Sequence, residues 1–334
     1  MHPEVTVILP FLNAETTLSE AIQSIVNQTF PDFELLLVDN NSSDNSREIA
    51  CNWVKKDHRI SLLEEKKPGV AHAMNCGLNN AVGRFVARMD ADDISHPERL
   101  EEQLLFFKKN PGTGLVGCHV SYTPHHMNTK GFQRFVKWVN SFHSSEKIAL
   151  NRFVEIPVVN PTILYRKEIY ESLGGCLQGD FPEDYEMQLR FLDKGVRMAK
   201  IPRELLLWQD FPSRLTRTDT RYSTEAFFRV KASYFKKWSE KNNPFHPVIW
   251  VWGAGRKTRR HARILEKAGI IIEGYIDIVK NKTSQKTTLH FSEIPAPGKM
   301  FIVPMVAKWG AREQINDFLV KANYIEGRDF IMMR

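Results

Sequence analysis

The sequence predicts an α/β fold, a mostly parallel sheet covered by helices on both faces, followed by a second and smaller α/β domain. Three observations predict it. Strand-like and helix-like segments alternate from Val5 to Asp90. An acidic tetrapeptide, DADD (90–93), follows the apolar run RFVARM (84–89). A fresh strand, glycine turn and helix begin after Pro247.

VTVILP (5–10) has the length and apolar character of a buried strand. NAETTLSEAIQSIVNQ (13–28) follows, with Leu18, Ile22, Ile25 and Val26 on one helical face and Asn13 as the expected N-cap. FELLLVD (33–39) is the next strand and SDNSREIACNWVKK (43–56) the next helix. ISLLEE (60–65), GVAHAMNCGLNNA (69–81) and RFVARMD (84–90) supply strand, helix and strand. Parallel strands need crossovers of this length, and helical crossovers cover the sheet. Ligands on such sheets bind beyond the carboxyl ends of the strands. Asp39 and Asp90 stand at those ends, so they are expected to converge.

From 113 to 210 the pattern is less regular. It holds a short strand (TGLVG), a polar loop with His125 and His126, a mixed helix near 144–153 and the segment NPTILYRKEIYESLGG. FPEDYEMQLRFLDKG (181–195) then opens a helix with acidic residues, which the helix dipole favours. In the helix at 226–241, Phe227, Val230, Tyr234 and Trp238 form one stripe with Lys and Arg beside it, expected to pack against its own domain, with weak contact to an anionic membrane as the alternative. The expected domains are 1–222 and 247–334, joined by a basic helical linker at 223–246.

A chain of 334 residues is long for one core, which agrees with two domains. With 42% hydrophobic and 25% charged residues it matches soluble globular proteins, not fibrous or disordered ones. The net charge of +7 is uneven, with eleven Lys or Arg against two Glu between 228 and 270. That stretch suits an anionic partner or membrane headgroups, or is simply a solvated face. The four cysteines form no C-x-x-C pair, which argues against a zinc cage or disulfide framework and for a reducing compartment. The apolar runs are too short to span a bilayer. MHPE leads straight into a strand without a signal-peptide pattern. The expectation is a cytoplasmic protein, able to touch the inner face of a membrane and not directed at nucleic acid.

Three carboxylates within four residues repel one another unless a cation or donors offset them. An oxygen-only set suits a hard ion such as Mg²⁺ or Mn²⁺, and Mg²⁺ is commonly held by carboxylates together with substrate phosphates. DADD therefore suggests a metal–diphosphate site, or else an acidic turn in which Asp93 or Ser95 caps the next helix. The surroundings favour the first. VTVILPFLNAETTLSEAIQSIVNQTFPDFELLLVDNNSSDNS (5–46), GVAHAMNCGLNNAVGRFVARMDADD (69–93), HPERL (96–100) and PEDYEMQLRF (182–191) together closely resemble a family-2 glycosyltransferase. The resemblance covers roughly 3–220 and carries four motifs in order.

The resemblance implies the nucleotide-diphospho-sugar transferase fold called GT-A, and an inverting reaction with a divalent metal, Mn²⁺ or Mg²⁺. It implies a nucleotide-sugar donor, most often UDP-linked, and a saccharide or lipid-linked saccharide as acceptor. Pro10, Phe11, Asn13 and Glu15 match the loop lining the nucleobase and ribose pocket. Asp39 matches the carboxylate that accepts from the uracil imide N–H, chemistry a carboxylate performs well. Asn40 stands where a second Asp is frequent. Asn75 and Gly77 match the helix near the nucleotide, and Met74 replaces a frequent basic residue, for which Lys66 or Lys67 could substitute. Asp90 matches the ribose-side aspartate and Asp92 the metal ligand, with Asp93 as support or cap. Asp184 matches the general base that takes the acceptor proton, with Glu183 beside it. Trp208, Arg214 and Arg217 lie in WQDFPSRLTRTDTRYS, where an arginine grips a diphosphate bidentately or pairs with Asp210 and Asp219. Pro97 and Arg99 read as structural, and Asn160 as part of a strand-end turn or an acceptor-side contact.

GAGRKT (253–258) opens the second domain, which reads as Rossmann-like. Gly253 and Gly255 allow a tight turn at a helix N-terminus, and Asp277 sits where a ribose-binding acid would be, but Thr258 replaces the third glycine. A ligand-free turn and a weak NAD(P) site are equally compatible. Two alternatives to transfer therefore stand: an NAD(P)-dependent nucleotide-sugar oxidoreductase or epimerase, and a non-catalytic saccharide-binding scaffold.

Overall fold

Apolar, mostly β-branched or leucine-rich strands at the front of the chain build the sheet that the helices cover. The computed structural model describes residues 2–125, 129–212, 214–279, 286–306, 308 and 310–334. It divides into two units. One comprises 1–148, 158–179 and 183–219; the other comprises 149–157, 180–182 and 220–334.

In the first unit, β1 (Val5–Phe11) is buried along its whole length. It lies parallel to β2 (Phe33–Asp39) and β4 (Phe85–Arg88), and β3 (Ile60–Glu64) lies parallel to β2. The crossovers are α1 (Leu18–Val26), α2 (Ser46–Lys56) and α3 (Val70–Asn80). Four further strands, β5 (Ile94–Ser95), β6 (Leu115–Pro124), β7 (Leu164–Arg166) and β8 (Met198–Asp210), complete the order β3-β2-β1-β4-β7-β6-β8-β5. β7 is antiparallel to both β4 and β6, β8 is parallel to β6, and β5 is antiparallel to β8. The sheet is mostly parallel, as expected. Its other helices are α4 (Arg99–Lys109), α5 (Lys130–Val139), α6 (Ser145–Leu150), α7 (Lys167–Leu173), α8 (Glu183–Asp193) and α9 (Leu215–Thr218).

The chain leaves β1 on one side for β2 and β3, then returns to its other side for β4. Strand order therefore reverses between β1 and β4, and ligands bind beyond the carboxyl ends of strands at such a switch point. Phe11, Asp39 and the DADD segment all emerge at that end.

Several local expectations shift. The first helix begins at Leu18, not Asn13. Asn13 adopts the left-handed region (φ 49°) and spends its side chain on the next loop instead of a cap. The TGLVG strand continues to Pro124 because β8 pairs with it throughout. Asp93 caps nothing: α4 starts at Arg99 behind Glu98 without a side-chain cap.

The long C-terminal part of the second unit, 220–334, contains α10 (Thr224–Asn242), whose N-cap Ser223 accepts from the Ala226 N–H at 3.3 Å. The stretch expected as a linker is thus counted within this unit. Val230 and Trp238 are buried as expected, but Phe228 and Phe235 take the place of Phe227 and Tyr234 in the packed face. β9 (Val248–Trp252), α11 (Arg256–Lys267), β10 (Ile271–Asp277), β11 (Thr288–His290), β12 (Ile302–Pro304) and α12 (Ala311–Lys321) follow. The sheet order is β11-β10-β9-β12, all parallel. This small α/β arrangement repeats the strand-order reversal of the first unit. Among the described residues no helix is long and apolar enough to cross a membrane.

Close approach of α3 to β1 depends on one glycine. A Cβ at Gly77 would lie 2.4 Å from Ile8 Cγ2. Gly77→Ala is expected to destabilise the protein by about 1–3 kcal/mol through overpacking, measurable as a lower denaturant midpoint at unchanged slope.

Candidate active site

Three loops at the carboxyl ends of β1, β2 and β3 are stitched together by their own polar side chains. Asn13 Oδ1 accepts from the Ser43 N–H at 2.8 Å. Glu15 Oε2 accepts from the Asn45 backbone N–H at 3.1 Å and from its side-chain amide at 2.9 Å. The Asn40 N–H donates to the Phe11 carbonyl at 3.0 Å, while the Pro10 and Phe11 side chains are buried. Asn40 itself clamps the 65–69 loop, donating to the Glu65 and Lys67 carbonyls at 2.7 and 2.8 Å and accepting from the Gly69 N–H at 2.8 Å. That is why an amide serves at this position: a carboxylate could not donate.

Asp39 is buried at the end of β2. Its Oδ1 accepts from the Ser42 N–H at 3.0 Å and its Oδ2 meets Arg47 at 3.2 Å. The carboxylate both holds the turn and retains lone pairs for a further donor. Arg47, half-exposed beside it, also pairs with Glu64 at 3.1 Å.

Beyond β4 the carboxylates of Asp90, Asp92 and Asp93 gather, with one oxygen from each lying within 4.8 Å of the others. Asp93 is fully buried; its Oδ1 accepts from the Gln209 N–H at 3.0 Å, and its Oδ2 has no hydrogen-bond partner. Burial, and then the neighbouring Asp92, hold the Asp93 carboxyl well above the usual range. Burial also raises Asp92, opposed by Arg214 and aided by Asp90. A buried, unpartnered carboxylate oxygen inside an all-oxygen cluster is the donor set a hard divalent cation takes. The residues fit such an ion.

Two arginines supply positive charge, Arg214 with a largely buried side chain and Arg217 exposed. Arg214 lies 3.9 Å from Asp93, stacks over Trp208 at 4.6 Å and donates to the Gln209 carbonyl. Trp208 is itself buried among Tyr122, Phe132 and Phe135, so it supports Arg214 from beneath. Arg217 instead pairs with the buried Asp210 at 2.7 Å, and Tyr122 donates to the same carboxylate at 2.7 Å. Of the two arginines, Arg214 is the one directed at the acidic cluster.

Arg88, at the end of β4, was not singled out from the sequence. Its Nε donates to Asp90 at 2.9 Å, and the Asn160 amide oxygen, oriented to satisfy both groups, accepts from it as well. Glu183 and Asp184 act on the same guanidinium and, with Asp90, hold its charge firmly in place despite burial. The signal was present: Arg88 is a charge within an apolar strand, two residues before Asp90 and hence on the same side.

Asp184 is the second residue of α8, partly buried, with Oδ1 accepting from the Tyr185 N–H at 2.7 Å. Burial, and then the adjacent Glu183 charge, push its carboxyl up to about 7, against the pull of Arg88. Glu183 is buried beside it. The approach to α8 is fastened twice. Asn75 accepts from the Cys176 N–H at 2.9 Å and donates to its carbonyl at 2.8 Å. Arg190, paired with Glu186 at 3.1 Å, donates to the carbonyls of 173–175. Asn75 thus acts on a loop backbone, and Met74 is buried. Arg99 is buried too and donates to the Arg88 and Pro161 carbonyls, tying the two sides of the site together. His125 stacks on Phe211 and bonds Gln209; His126 lies outside the described residues.

In the second unit, Gly253 needs its left-handed backbone (φ 113°), whereas Gly255 faces open space at an ordinary φ. Asp277 turns inward: Oδ2 accepts from the Ala254 N–H at 2.7 Å and Oδ1 from the Val279 N–H at 3.3 Å. Its carboxylate fills the anion-binding role at the turn, where a dinucleotide would need both the turn amide and a free carboxylate.

Fold and site define a glycosyltransferase with the GT-A architecture. Residues 6–174 match the family described as Glycosyl transferase family 2, and the chain belongs to that family. It is 34% identical over 173 residues to an uncharacterized glycosyltransferase of Rickettsia conorii, covering 51% of this chain but only 27% of that relative. It is 29% identical over 229 residues to EpsE of Bacillus subtilis, named as a glycosyltransferase, covering 67% of this chain and 79% of that one. It is 43% identical over 114 residues to the Escherichia coli UDP-Glc:alpha-D-GlcNAc-diphosphoundecaprenol beta-1,3-glucosyltransferase WfgD, covering 34% and 44%. Staphylococcus aureus TarS, solved with UDP-GlcNAc, shares the fold at TM-score 0.57 and 16% identity, over 79% of this chain and 71% of that one. So does mannosyltransferase PcManGT of Pyrobaculum calidifontis, solved with GDP-Man and Mn²⁺, at TM-score 0.53 and 21% identity, over 72% and 64%.

Arg88 is the buried countercharge nearest Asp90. Arg88→Met is expected to cost about 3–5 kcal/mol by leaving uncompensated buried carboxylates, read as a fall in unfolding free energy.

Proposed function

We propose that this glycosyltransferase moves a sugar, with inversion, from a nucleotide-diphospho donor to a hydroxyl of a glycan or lipid-linked saccharide. One observation carries the proposal. An acidic cluster suited to a divalent cation and an elevated carboxyl at Asp184, beside Glu183, flank the same arginine, Arg88. Hydrolysis by paired carboxyls would need two such groups straddling a sugar and no diphosphate site.

Asp39 accepts from the nucleobase, with uracil favoured because an imide N–H suits a carboxylate. Pro10, Phe11, Asn13 and Glu15 shape the surrounding loop. Asp90 faces the ribose, held by Arg88. Asp92 is the metal ligand, and Asp93 completes the acidic cluster around it. A divalent cation, Mn²⁺ or Mg²⁺, would offset charge developing on the leaving diphosphate. Arg214 adds a fixed positive charge on the same side. Asp184 takes the acceptor proton at Oδ2, its Oδ1 being held by Tyr185. A base near neutrality is well matched to that task. The acceptor class draws support from the diphosphoundecaprenol-linked acceptor in the name of WfgD. A lipid-linked acceptor places the enzyme at the inner face of a membrane.

Titrating UDP-, GDP- and dTDP-sugars with and without Mn²⁺ tests the donor. Metal-enhanced binding of a UDP-sugar is expected, and no metal-enhanced binding of any donor would sink the proposal. Asp184→Asn is expected to keep donor binding and lose transfer by at least about a hundredfold; normal turnover would remove Asp184 from the base role. The base works ionised, so kcat/KM should rise with pH through about 7 and fall about tenfold per pH unit below it. A pH profile flat across that range would contradict the assignment.

A further inference from the structure

The second unit carries a surface that the transfer chemistry does not use. Helices α10 and α11 pack side by side. Glu225 meets Arg260 at 3.0 Å, and Phe228 stacks on His261 with ring centroids 3.8 Å apart. Further along, Lys236 Nζ lies 3.4 Å from where a Gly269 Cβ would stand. These contacts advance together, so the two helices run parallel.

The buried side of α11 is Thr258, His261, Ala262 and Leu265. Its opposite side exposes Arg256, Lys257, Arg260, Arg263 and Lys267. Spacings of three and four residues put 256, 260, 263 and 267 in one stripe, about 17 Å long at the helical rise. On α10, exposed Arg229 and Lys236 follow Glu225 on the flank that meets α11.

Within this stripe an acidic neighbour neutralises Arg260 alone. Glu225 is engaged with Arg260, Glu266 pairs with Lys286 at 2.7 Å, and Glu240 lies toward His246. Arg256, Lys257, Arg263 and Lys267 have no ion-pair partner among the described residues. Three uncompensated cations in the stripe, with Lys257 beside them, raise the local potential and attract anions.

We propose that the α11 stripe, flanked by Arg229 and Lys236, docks the protein onto a bilayer bearing anionic headgroups. Charge complementarity selects an anionic surface. The cytoplasmic leaflet is one, attracting basic segments by about 1 kcal/mol per residue near the surface. Exposed Lys and Arg can rest their aliphatic stems on the apolar boundary while the charged ends stay among headgroups. No aromatic residue stands in the stripe to stack on nucleic-acid bases. The choice of a lipid surface rests on the lipid-linked acceptor proposed above; the stripe itself does not.

The test is co-sedimentation of the full chain with vesicles of phosphatidylcholine alone and of phosphatidylcholine mixed with phosphatidylglycerol. Binding to the mixed vesicles only, weakened by added salt, is expected. The combined change Arg256→Gln, Lys257→Gln, Arg263→Gln and Lys267→Gln should weaken binding at least about tenfold. Gln is a good helix former, so the thermal midpoint and donor binding should be unchanged. Equal binding to both vesicle types, undiminished binding by the variant, or tighter binding to a DNA duplex than to the mixed vesicles would overturn the proposal. Vesicle binding without any nucleotide-sugar binding would leave docking standing and remove the transfer reaction. Transfer to a soluble acceptor without vesicle binding would do the reverse.

Discussion

The first unit is organised around one electrostatic problem. Five carboxylates, from Asp90, Asp92, Asp93, Glu183 and Asp184, are brought to one end of a parallel sheet, while Arg88, Arg99 and Arg214 are the buried cations among them. Like charges at this density are held only because backbone geometry forces them together and the arginines are themselves locked. Arg88 is fixed by Asp90 and Asn160, Arg99 by two carbonyls, and Arg214 by Trp208 and the Gln209 carbonyl. Burial, and after it the neighbouring carboxylates, raise the Asp92, Asp93 and Asp184 carboxyls. A cation would relieve the first two. The third is what a proton-accepting group near neutrality requires.

Much of the surrounding polar structure serves to hold this arrangement still. Asn40, Asn75, Glu186 with Arg190, and Glu15 each bind backbone or a neighbouring loop. The loops that would meet a donor are therefore braced by side-chain hydrogen bonds instead of by regular structure. A loop in the left-handed region at Asn13 and Asn41 becomes tolerable when neighbouring groups are satisfied in this way.

The second unit answers a similar question differently. Its glycine turn points a backbone amide, that of Ala254, at an anion, but the anion is its own Asp277. The motif that suggested a dinucleotide is thus used to join β9, α11 and β10. This contrasts with Asp39, which holds a turn through the Ser42 N–H and also meets Arg47 at the switch point between strands.

Periodicity in the sequence was enough to determine the alternating strands and helices and the placing of DADD after a strand, while the family was legible only through the resemblance of four motifs. Each of those depends on local pattern, or on motifs in chain order. Start positions shifted where loop side chains bond across the chain, as at Asn13, because no local rule describes a partner thirty residues away. The same limit hid Arg88 and gave Arg214 and Arg217 equal standing. Only the folded chain separates them, directing Arg214 to the acidic cluster and Arg217 to Asp210. Composition alone disclosed an excess of basic residues between 228 and 270. Tertiary packing decided which of them, Lys231 among them, are buried, and which line up on one exposed helix face. Residue types and spacing belong to the sequence; convergence, burial and partner choice arise when distant segments share one low-dielectric space.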